Sequence, residues 1–362
     1  GREGSGGVPE LRWQDQQPLP PVASDPDAPA LVLVTLDTLR ADALDDMPLL
    51  AERARTAKVW TRAHTPAPWT LPAMASLHTG TPVSVHGAGA RVDVVRNHLR
   101  TPPDLELEVL AQALTRRGFV TAAVVTNPYL SSRYGFDRGF DRFRELSTRA
   151  QLVSGLRRSW LLRWVLPPMP DSPEAVTSEA LQLLDEGRRG RLFLWVHHIE
   201  AHAPYTALDG RDTRDECTLP DCFADWSGVR KGELELDEAD RRRVGELYRA
   251  DLGRLDRSLD RLLEQVEQDV GERALVVVTA DHGEELWDHG GVEHGHAFHE
   301  EITRVPLLAW GPGIEPGEVD RAVDLVGLHD ALLAWVDGQG LGPLGEEGSD
   351  ALTPMQSMLF GV

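Results

Sequence analysis

Two runs of apolar residues, each rich in β-branched side chains and each ending directly at an aspartate, constrain the fold of this chain most strongly. Ala30–Leu36 precedes Asp37, and Ala274–Ala280 precedes Asp281. Continuous apolar runs of this length are typical of strands that are buried on both faces of a parallel sheet. Because such sheets bind their ligands beyond the carboxyl ends of the strands, the two aspartates are candidate functional residues.

Helical segments alternate with the predicted strands. The sequence predicts helices over 105–117, 173–186 and 237–268, and further strands over 120–126, 191–196 and 305–310. A short helix is also predicted to contain Pro72 in its first turn and to end at Gly80. This alternation predicts an α/β fold with a doubly wound, mostly parallel sheet flanked by helices.

Composition predicts one main domain with short appendages. The chain has 362 residues, of which 41% are hydrophobic and 26% are charged, as in ordinary soluble globular proteins. We expect a flexible tether over residues 1–28, a main α/β domain over 29–345 and a tail over 346–362.

Charge and hydropathy exclude some classes of partner. The net charge of −21 argues against a nucleic-acid partner, and no apolar run is long enough to predict a membrane span in this chain. We expect an exported protein that has lost an N-terminal signal, although a trimmed sequence explains a start at Gly1 equally well. The spacing of Cys217 and Cys222 permits a small disulfide loop, with two reduced cysteines as the alternative.

Histidines follow two of the predicted strands. His197, His198 and His202 come after the strand at 191–196, and His282 comes directly after Asp281. Carboxylate and imidazole side chains together suit Zn²⁺, Mn²⁺ or a similar cation. Surface loops also collect histidine without a role, so the clustering alone leaves the question open.

Thr70 is predicted to lie at the N-terminus of the short helix. Free amide groups and the helix dipole favour an anion at such a position. A hydroxyl there can attack a phosphoryl or sulfuryl centre, or it can cap the helix. The residues alone leave both roles open.

Six motifs, in order along the chain, resemble the sulfatase branch of the alkaline phosphatase superfamily. They are Asp37-Thr-Leu-Arg40, Thr70-x-Pro72 continuing to Thr79-Gly80, Tyr134 through Asp141, His198-x-x-x-His202-Ala-Pro-Tyr205, Thr279-Ala-Asp281-His282-Gly-Glu284, and His294-Gly with Glu301 and Arg304-Val-Pro-Leu307. The resemblance implies an alkaline phosphatase-like fold. It also implies at most a remnant, near residues 352–360, of the small C-terminal antiparallel-sheet domain of that family.

The resemblance implies a ligand set and a nucleophile. Asp37, Thr70, Asp281 and His282 are expected to hold one divalent cation, and Thr70 is expected to be the nucleophile.

The resemblance also implies residues that act on the substrate. His198 and His202 are expected to contact substrate oxygens or to protonate the leaving group, and His294 and Arg40 are expected to bind substrate. For Arg40, an ion pair with Asp42 is an equal alternative.

The chain departs from the sulfatase pattern at the nucleophile. Sulfatases proper place Cys or Ser there, followed by x-Pro-x-Arg, and convert it to formylglycine. This chain has Thr70, Pro72 and Met74 at the corresponding positions. Because threonine is not a substrate for that conversion, no formylglycine is expected.

The implied metal ligands depart from the pattern as well. Asp37 is followed by Thr38 where the family usually has a second acid, and Asp281 is followed by His282 where calcium-dependent sulfatases tend to have asparagine. Because Ca²⁺ prefers oxygen ligands, the imidazole favours Mn²⁺ or Zn²⁺, with Ca²⁺ as an alternative.

These observations predict a metal-dependent hydrolase of phosphate or sulfate esters. Its expected substrate is a small anionic ester, a phosphorylated or sulfated glycan, or a lipid head group. A transferase of the phosphoethanolamine or phosphoglycerol type is one alternative. A catalytically degenerate, anion-binding relative of the sulfatases is the other.

Overall fold

β1 lies at the centre of a sheet of eight strands, and all seven of its residues are buried. The computed structural model describes residues 19–20, 25, 27–89, 103–146, 172–203, 205, 207–208, 211–212, 229, 233–344 and 352–355. Most of the predicted tether, Cys217, Cys222 and most of the predicted tail lie outside the described residues.

The described strands are numbered in chain order. They are β1 (Ala30–Leu36), β2 (Lys58–His64), β3 (Val120–Val125), β4 (Arg142–Glu145), β5 (Leu192–His198), β6 (Ala207–Leu208), β7 (Arg211–Asp212), β8 (Ala274–Ala280), β9 (Glu285–Leu286), β10 (Val292–Glu293), β11 (Leu307–Trp310) and β12 (Gly317–Asp324). The large sheet has the order β12-β2-β11-β8-β1-β5-β3-β4. Only β11 runs antiparallel to its neighbours in that sheet as described. β6 pairs with β7, and β9 with β10, as two small antiparallel sheets.

The described helices form two packed groups that flank the sheet. They are α1 (Pro48–Ala54), α2 (Thr70–Thr79), α3 (Val83–His86), α4 (Leu110–Arg116), α5 (Pro173–Gly187), α6 (Glu238–Asp269), α7 (Glu300–Thr303) and α8 (Leu325–Val336). α6 packs against α1 and α5, whereas α2 packs against α3, α4 and α8. The predicted fold class, a mostly parallel sheet with flanking helices, is confirmed.

Some boundaries differ from the predicted ones for local reasons. α4 begins at Leu110 rather than at 105, because the Asp104 carboxylate accepts a hydrogen bond from the Glu106 amide and holds that segment in a turn. β2, β4 and β12 were not predicted. Each carries charged residues along its length, and β4 and β12 are the two edges of the sheet, where polar side chains are tolerated.

No helix among the described residues is both long and apolar enough to cross a membrane.

α2 ends where a left-handed residue is required. Gly80 has a φ of 63°, and an added Cβ would lie 2.6 Å from the His329 ring. The His329 Nδ1 in turn donates to the Leu77 carbonyl at 3.1 Å, which satisfies one of the last carbonyl groups of the helix. The two contacts fix α2 against α8.

A buried histidine on α2 predicts that the fold is sensitive to acid. The His78 ring lies 4.2 Å from the Trp195 ring, and burial lowers its pKa to about 3. As the pH falls, His78 is therefore protonated in the unfolded chain near pH 6.5, while it is still neutral in the folded protein. Stability is complete above that pH and is lost as the pH falls toward the folded-state pKa, by up to about 1.4 kcal/mol per pH unit.

Replacing His78 by leucine should remove this contribution. Urea unfolding between about pH 6.5 and pH 4 should then give a shallower fall in unfolding free energy for His78→Leu than for the native chain. Equal m-values would serve as the control for unchanged compactness. Parallel pH profiles of the two proteins would show that this residue does not cause the acid sensitivity.

Candidate metal and nucleophile site

The carboxyl ends of three neighbouring strands meet at the candidate site. β1 lies between β5 and β8, and Thr35 pairs in register with both His197 and Thr279. The strands therefore end at the same level, with Asp37 and Asp281 directly after β1 and β8. One ligand atom each from Asp37, His197 and Asp281 lies within 4.8 Å of the others.

A strained residue helps to hold the two strand ends together. Thr38 has a φ of 56°, in the left-handed region that β-branched residues disfavour. In this conformation its amide donates to Asp281 Oδ1 at 3.2 Å, and its carbonyl accepts from the Tyr248 hydroxyl at 3.1 Å. The strained conformation of Thr38 thus allows a hydrogen bond between the end of β1 and the carboxylate that follows β8.

Each of the two aspartates has one satisfied and one unsatisfied oxygen. Asp37 Oδ2 accepts from Asn127 Nδ2 at 2.6 Å and lies 3.3 Å from His197 Nε2. Asp281 Oδ1 accepts from the His282 and Thr38 amides. The other oxygens, Asp37 Oδ1 and Asp281 Oδ2, are buried and have no hydrogen-bond partner among the described residues.

This arrangement is electrostatically costly without a positive charge. Both carboxylates are fully buried, and burial together with the negative charge of Asp37 raises the pKa of Asp281 well above its ordinary value. Although burial opposes it, the hydrogen bond with His197 keeps the pKa of Asp37 below its ordinary value. A cation between the two unsatisfied oxygens would compensate the buried charge.

The Nε2 atom of His282 lies close to the two aspartate oxygens that have no hydrogen-bond partner in the described part of the chain. Its Nδ1 lies 2.9 Å from the Gly283 carbonyl, which can only accept, so Nδ1 carries the hydrogen and Nε2 carries the lone pair. Nε2 lies 3.4 Å from Asp281 Oδ2 and 3.8 Å from Asp37 Oδ1. Burial lowers the pKa of His282 to about 3, which keeps the ring neutral. Neutral imidazole and carboxylate oxygens form a donor set that fits a divalent cation.

The Thr70 hydroxyl lies beside these atoms and does not cap its helix. The N-cap residue of α2 is Trp69, and no side chain caps the helix there. Thr70 Oγ1 instead accepts from Asn127 Nδ2 at 3.1 Å and lies 3.3 Å from His282 Nε2. The structure thus brings together Asp37, Thr70, Asp281 and His282, the four predicted ligands.

His198 is not brought to this cluster. Side chains alternate along a strand, so His198 points away from the face that His197 presents to Asp37. Neither of its ring nitrogens has a hydrogen-bond partner among the described residues, and burial lowers its pKa to about 3. Its predicted role toward substrate has no support from this position.

His202 and His294 lie beside the cluster. The His294 ring centroid is 4.3 Å from that of His282 and 5.0 Å from that of His202. His294 Nδ1 pairs with Glu284 Oε1 at 3.0 Å, and the Tyr205 hydroxyl donates to Glu284 Oε2 at 3.1 Å. Burial raises the pKa of Glu284 to about 7. A second row of titratable groups therefore borders the two buried aspartates.

The electrostatic environment of His202 favours its protonated form. Burial alone would lower its pKa, but the negative charges of Asp37 and Glu284 raise the pKa above its ordinary value. Its Nδ1 donates to the Ala203 carbonyl, which fixes the orientation of the ring.

Arg40 forms ion pairs with two aspartates. It donates to both oxygens of Asp42, at 2.8 and 2.7 Å, and to both oxygens of Asp288, at 2.7 and 3.2 Å. Of the two predicted roles, the structure shows the pairing with Asp42. Arg40 joins the loop after β1 to the loop after β9.

Sequence reasoning missed Asn127, and it named His197 only as one of several histidines after a strand that could bind a metal. Asn127 follows β3, a strand of the same sheet, so the strand-end rule that singled out Asp37 also applies to it. Choosing His197 over His198 needs the register of β5 against β1, which a single sequence does not give.

Comparison with known proteins finds a matching family. The family model named Sulfatase matches residues 29–338. The uncharacterized sulfatase YidJ of Escherichia coli (strain K12) is 31% identical over 83 residues, a stretch that spans 23% of this chain and only 17% of that protein.

Two solved structures share the fold. The phosphonate monoester hydrolase of Agrobacterium radiobacter has a TM-score of 0.66 at 18% identity, over 85% of this chain and 74% of that chain. A putative sulfatase, yidJ, from Bacteroides fragilis has a TM-score of 0.64 at 18% identity, over 89% of this chain and 76% of that chain.

The chain belongs to the sulfatase family. Enzymes of this family are hydrolases that use a divalent metal, and the buried Asp37, His197 and Asp281 form a candidate site for one.

Proposed function

We propose that this chain is a metal-dependent hydrolase of phosphate esters in which Thr70 is the nucleophile. The observation that carries the proposal is the position of the Thr70 hydroxyl. It is buried, caps no helix, and lies against His282 Nε2, close to two aspartates that each present an unsatisfied oxygen. We assign Asp37, Thr70, Asp281 and His282 as the residues that would hold the cation.

The chemistry of threonine favours phosphate over sulfate. The hydrate of formylglycine carries two hydroxyl groups on one carbon, so loss of the proton from the free hydroxyl re-forms the aldehyde and breaks the C–O bond to the bound sulfate. A threonine ester, in contrast, is released only when water attacks the transferred group. Buried carboxylates that hold a cation can support such an attack on phosphorus. The fold shared with a phosphonate monoester hydrolase is compatible with phosphorus chemistry.

Each residue near Thr70 has a part in the proposed reaction. Asn127 Oδ1 accepts from the Tyr129 amide at 2.8 Å, so its Nδ2 is the donor that orients the Thr70 oxygen. Asp37, Asp281 and His282 would supply the ligand atoms. When bound, the cation would lower the pKa of the Thr70 hydroxyl and neutralise charge on a substrate oxygen.

The N-terminus of α2 and two histidines would receive the substrate anion. The first turn of the helix favours negative charge beside Thr70. His202, whose pKa is raised, is suited to donate a proton to the leaving oxygen, and His294 to contact a nonbridging oxygen.

A substrate panel tests the proposal. Nitrophenyl phosphate, bis-nitrophenyl phosphate, nitrophenyl phenylphosphonate and nitrophenyl sulfate are compared after chelation and after addition of Mn²⁺, Zn²⁺ or Ca²⁺. We expect turnover of the phosphorus esters above that of the sulfate, loss of turnover on chelation and recovery with Mn²⁺ or Zn²⁺.

A variant outside the cluster controls for nonspecific effects. His289 is nearly half exposed and stacks on His299, so His289→Ala should leave the turnover unchanged. Faster turnover of the sulfate ester than of every phosphorus ester would contradict the proposed substrate class. Binding of these anions without turnover of any of them would favour a degenerate, anion-binding protein.

A further inference from the structure

We propose that His197 is a positioning residue that holds Asp37 through a hydrogen bond, and is not itself a ligand of the cation. Distance alone would place His197 in the ligand set, because its ring nitrogen and oxygens of Asp37 and Asp281 lie within 4.8 Å of one another. The inference rests on the proposed function in one respect, namely that a cation binds between the two aspartates.

The tautomer of His197 is set from the far side of its ring. Trp195 Nε1 lies 3.0 Å from Thr35 Oγ1, and an indole N–H can only donate, so Thr35 accepts this bond. Thr35 Oγ1 also lies 2.8 Å from His197 Nδ1. The Thr35 hydroxyl has no other hydrogen-bond partner among the described residues, so its hydrogen is satisfied only by donation to Nδ1.

This donation places the hydrogen of the neutral ring on Nε2. A neutral imidazole that accepts at Nδ1 carries its hydrogen on Nε2. Nε2 lies 3.3 Å from Asp37 Oδ2, to which it therefore donates. A ring nitrogen that carries a hydrogen has no lone pair for a cation. The hydrogen bonds thus run from Trp195 through Thr35 and His197 to the accepting carboxylate of Asp37. All four side chains are fully buried, where an unpaired polar group is costly.

The alternative arrangement leaves a buried group unsatisfied. For Nε2 to bind a cation, the hydrogen would have to move to Nδ1, and Nδ1 would then donate to Thr35 Oγ1. Thr35 would receive two donors, and its own hydrogen would have no acceptor among the described residues. Among the described histidines of the cluster, His282 has the opposite pattern, with its hydrogen held on Nδ1 by the Gly283 carbonyl.

The consequence for Asp37 is that its two oxygens have different tasks. Oδ2 takes donors from Asn127 and His197, whereas Oδ1 takes none. The two donors fix the rotation of the carboxylate and leave Oδ1 as its ligand atom. Groups that orient a ligand in this way commonly change metal affinity by about 10–100-fold when they are removed.

Counting imidazole ligands by X-ray absorption of the Zn²⁺-loaded protein tests the inference. We expect one imidazole per zinc in the native chain, from His282, and the same number in His197→Gln. A loss of one imidazole in His197→Gln would overturn the inference and leave the proposed function intact. If the native chain binds Mn²⁺ but no Zn²⁺, the same count is made on the Mn²⁺-loaded protein. A native chain that binds neither cation at this site would overturn both.

Zn²⁺ affinity of matched variants provides the second measurement. His197→Gln keeps an amide donor and should bind Zn²⁺ more tightly than His197→Leu, whereas equal losses would contradict a hydrogen-bonding role. Thr35→Val should weaken Zn²⁺ binding about 10-fold, and Thr35→Ser should restore it. Unchanged affinity in Thr35→Val would overturn the tautomer argument. Circular dichroism of each metal-free variant confirms that the fold is retained.

Discussion

Replacing Thr70 by alanine should abolish turnover of phosphate esters while the protein remains folded. If the hydroxyl is the nucleophile, its loss should lower kcat by about a thousandfold or more, and Thr70→Ser should retain part of the activity. The hydroxyl makes hydrogen bonds to Asn127 and His282 but caps no helix, so the unfolding free energy should change by only about 1 kcal/mol. Steady-state kinetics and urea unfolding measure the two effects separately.

A second threonine on the same helix provides the matched control. The Thr79 hydroxyl donates to the Ala75 carbonyl at 2.7 Å, far along α2 from the cluster. Thr79→Ala should therefore keep its activity. A Thr70→Ala protein with turnover close to that of Thr79→Ala would contradict a nucleophilic role for Thr70.

Replacing Asp281 by asparagine should have opposite effects on the metal-free and metal-loaded protein. Burial and the charge of Asp37 raise the pKa of Asp281 above its value in the unfolded chain, so the ionised group destabilises the fold at neutral pH without a cation. Asp281→Asn removes this repulsion and should raise the stability of the chelated protein. It also removes a ligand oxygen, and turnover should be lost.

Thermal unfolding with chelator and with Zn²⁺ or Mn²⁺ checks both effects. In the native chain, a cation at one hundred times its Kd should add about 2.7 kcal/mol of stability. Asp281→Asn should show no such gain, while Asp45→Asn, a change at an exposed aspartate, should show the native gain. Equal metal stabilisation of Asp281→Asn and the native chain would contradict the assigned ligand.

The sequence predicted the centre of the fold better than its edges. β1 and β8 are buried on both faces, so nearly all of their residues are apolar, and this composition can be recognised in the sequence. β4 and β12 are edge strands in which polar side chains are tolerated, so their patterns resemble those of loops.

Three of the four predicted ligands, Asp37, Asp281 and His282, follow strand ends, whereas the choice between neighbouring histidines depends on strand register. Asp37 and Asp281 follow neighbouring strands, so their proximity follows from topology alone. The choice of His197 over His198 depends on which face of β5 turns toward Asp37. The residues alone left open whether Thr70 caps the helix or faces the aspartates, because both roles place a hydroxyl at a helix N-terminus, and only the family resemblance favoured the second role.

The stereochemical course of hydrolysis shows whether Thr70 forms a covalent intermediate. A phosphorothioate diester of known configuration is hydrolysed in isotopically labelled water, and the configuration of the product is determined. Attack by Thr70 followed by attack of water inverts phosphorus twice, so we expect net retention. Net inversion would show that water attacks the substrate directly and would contradict a covalent role for Thr70.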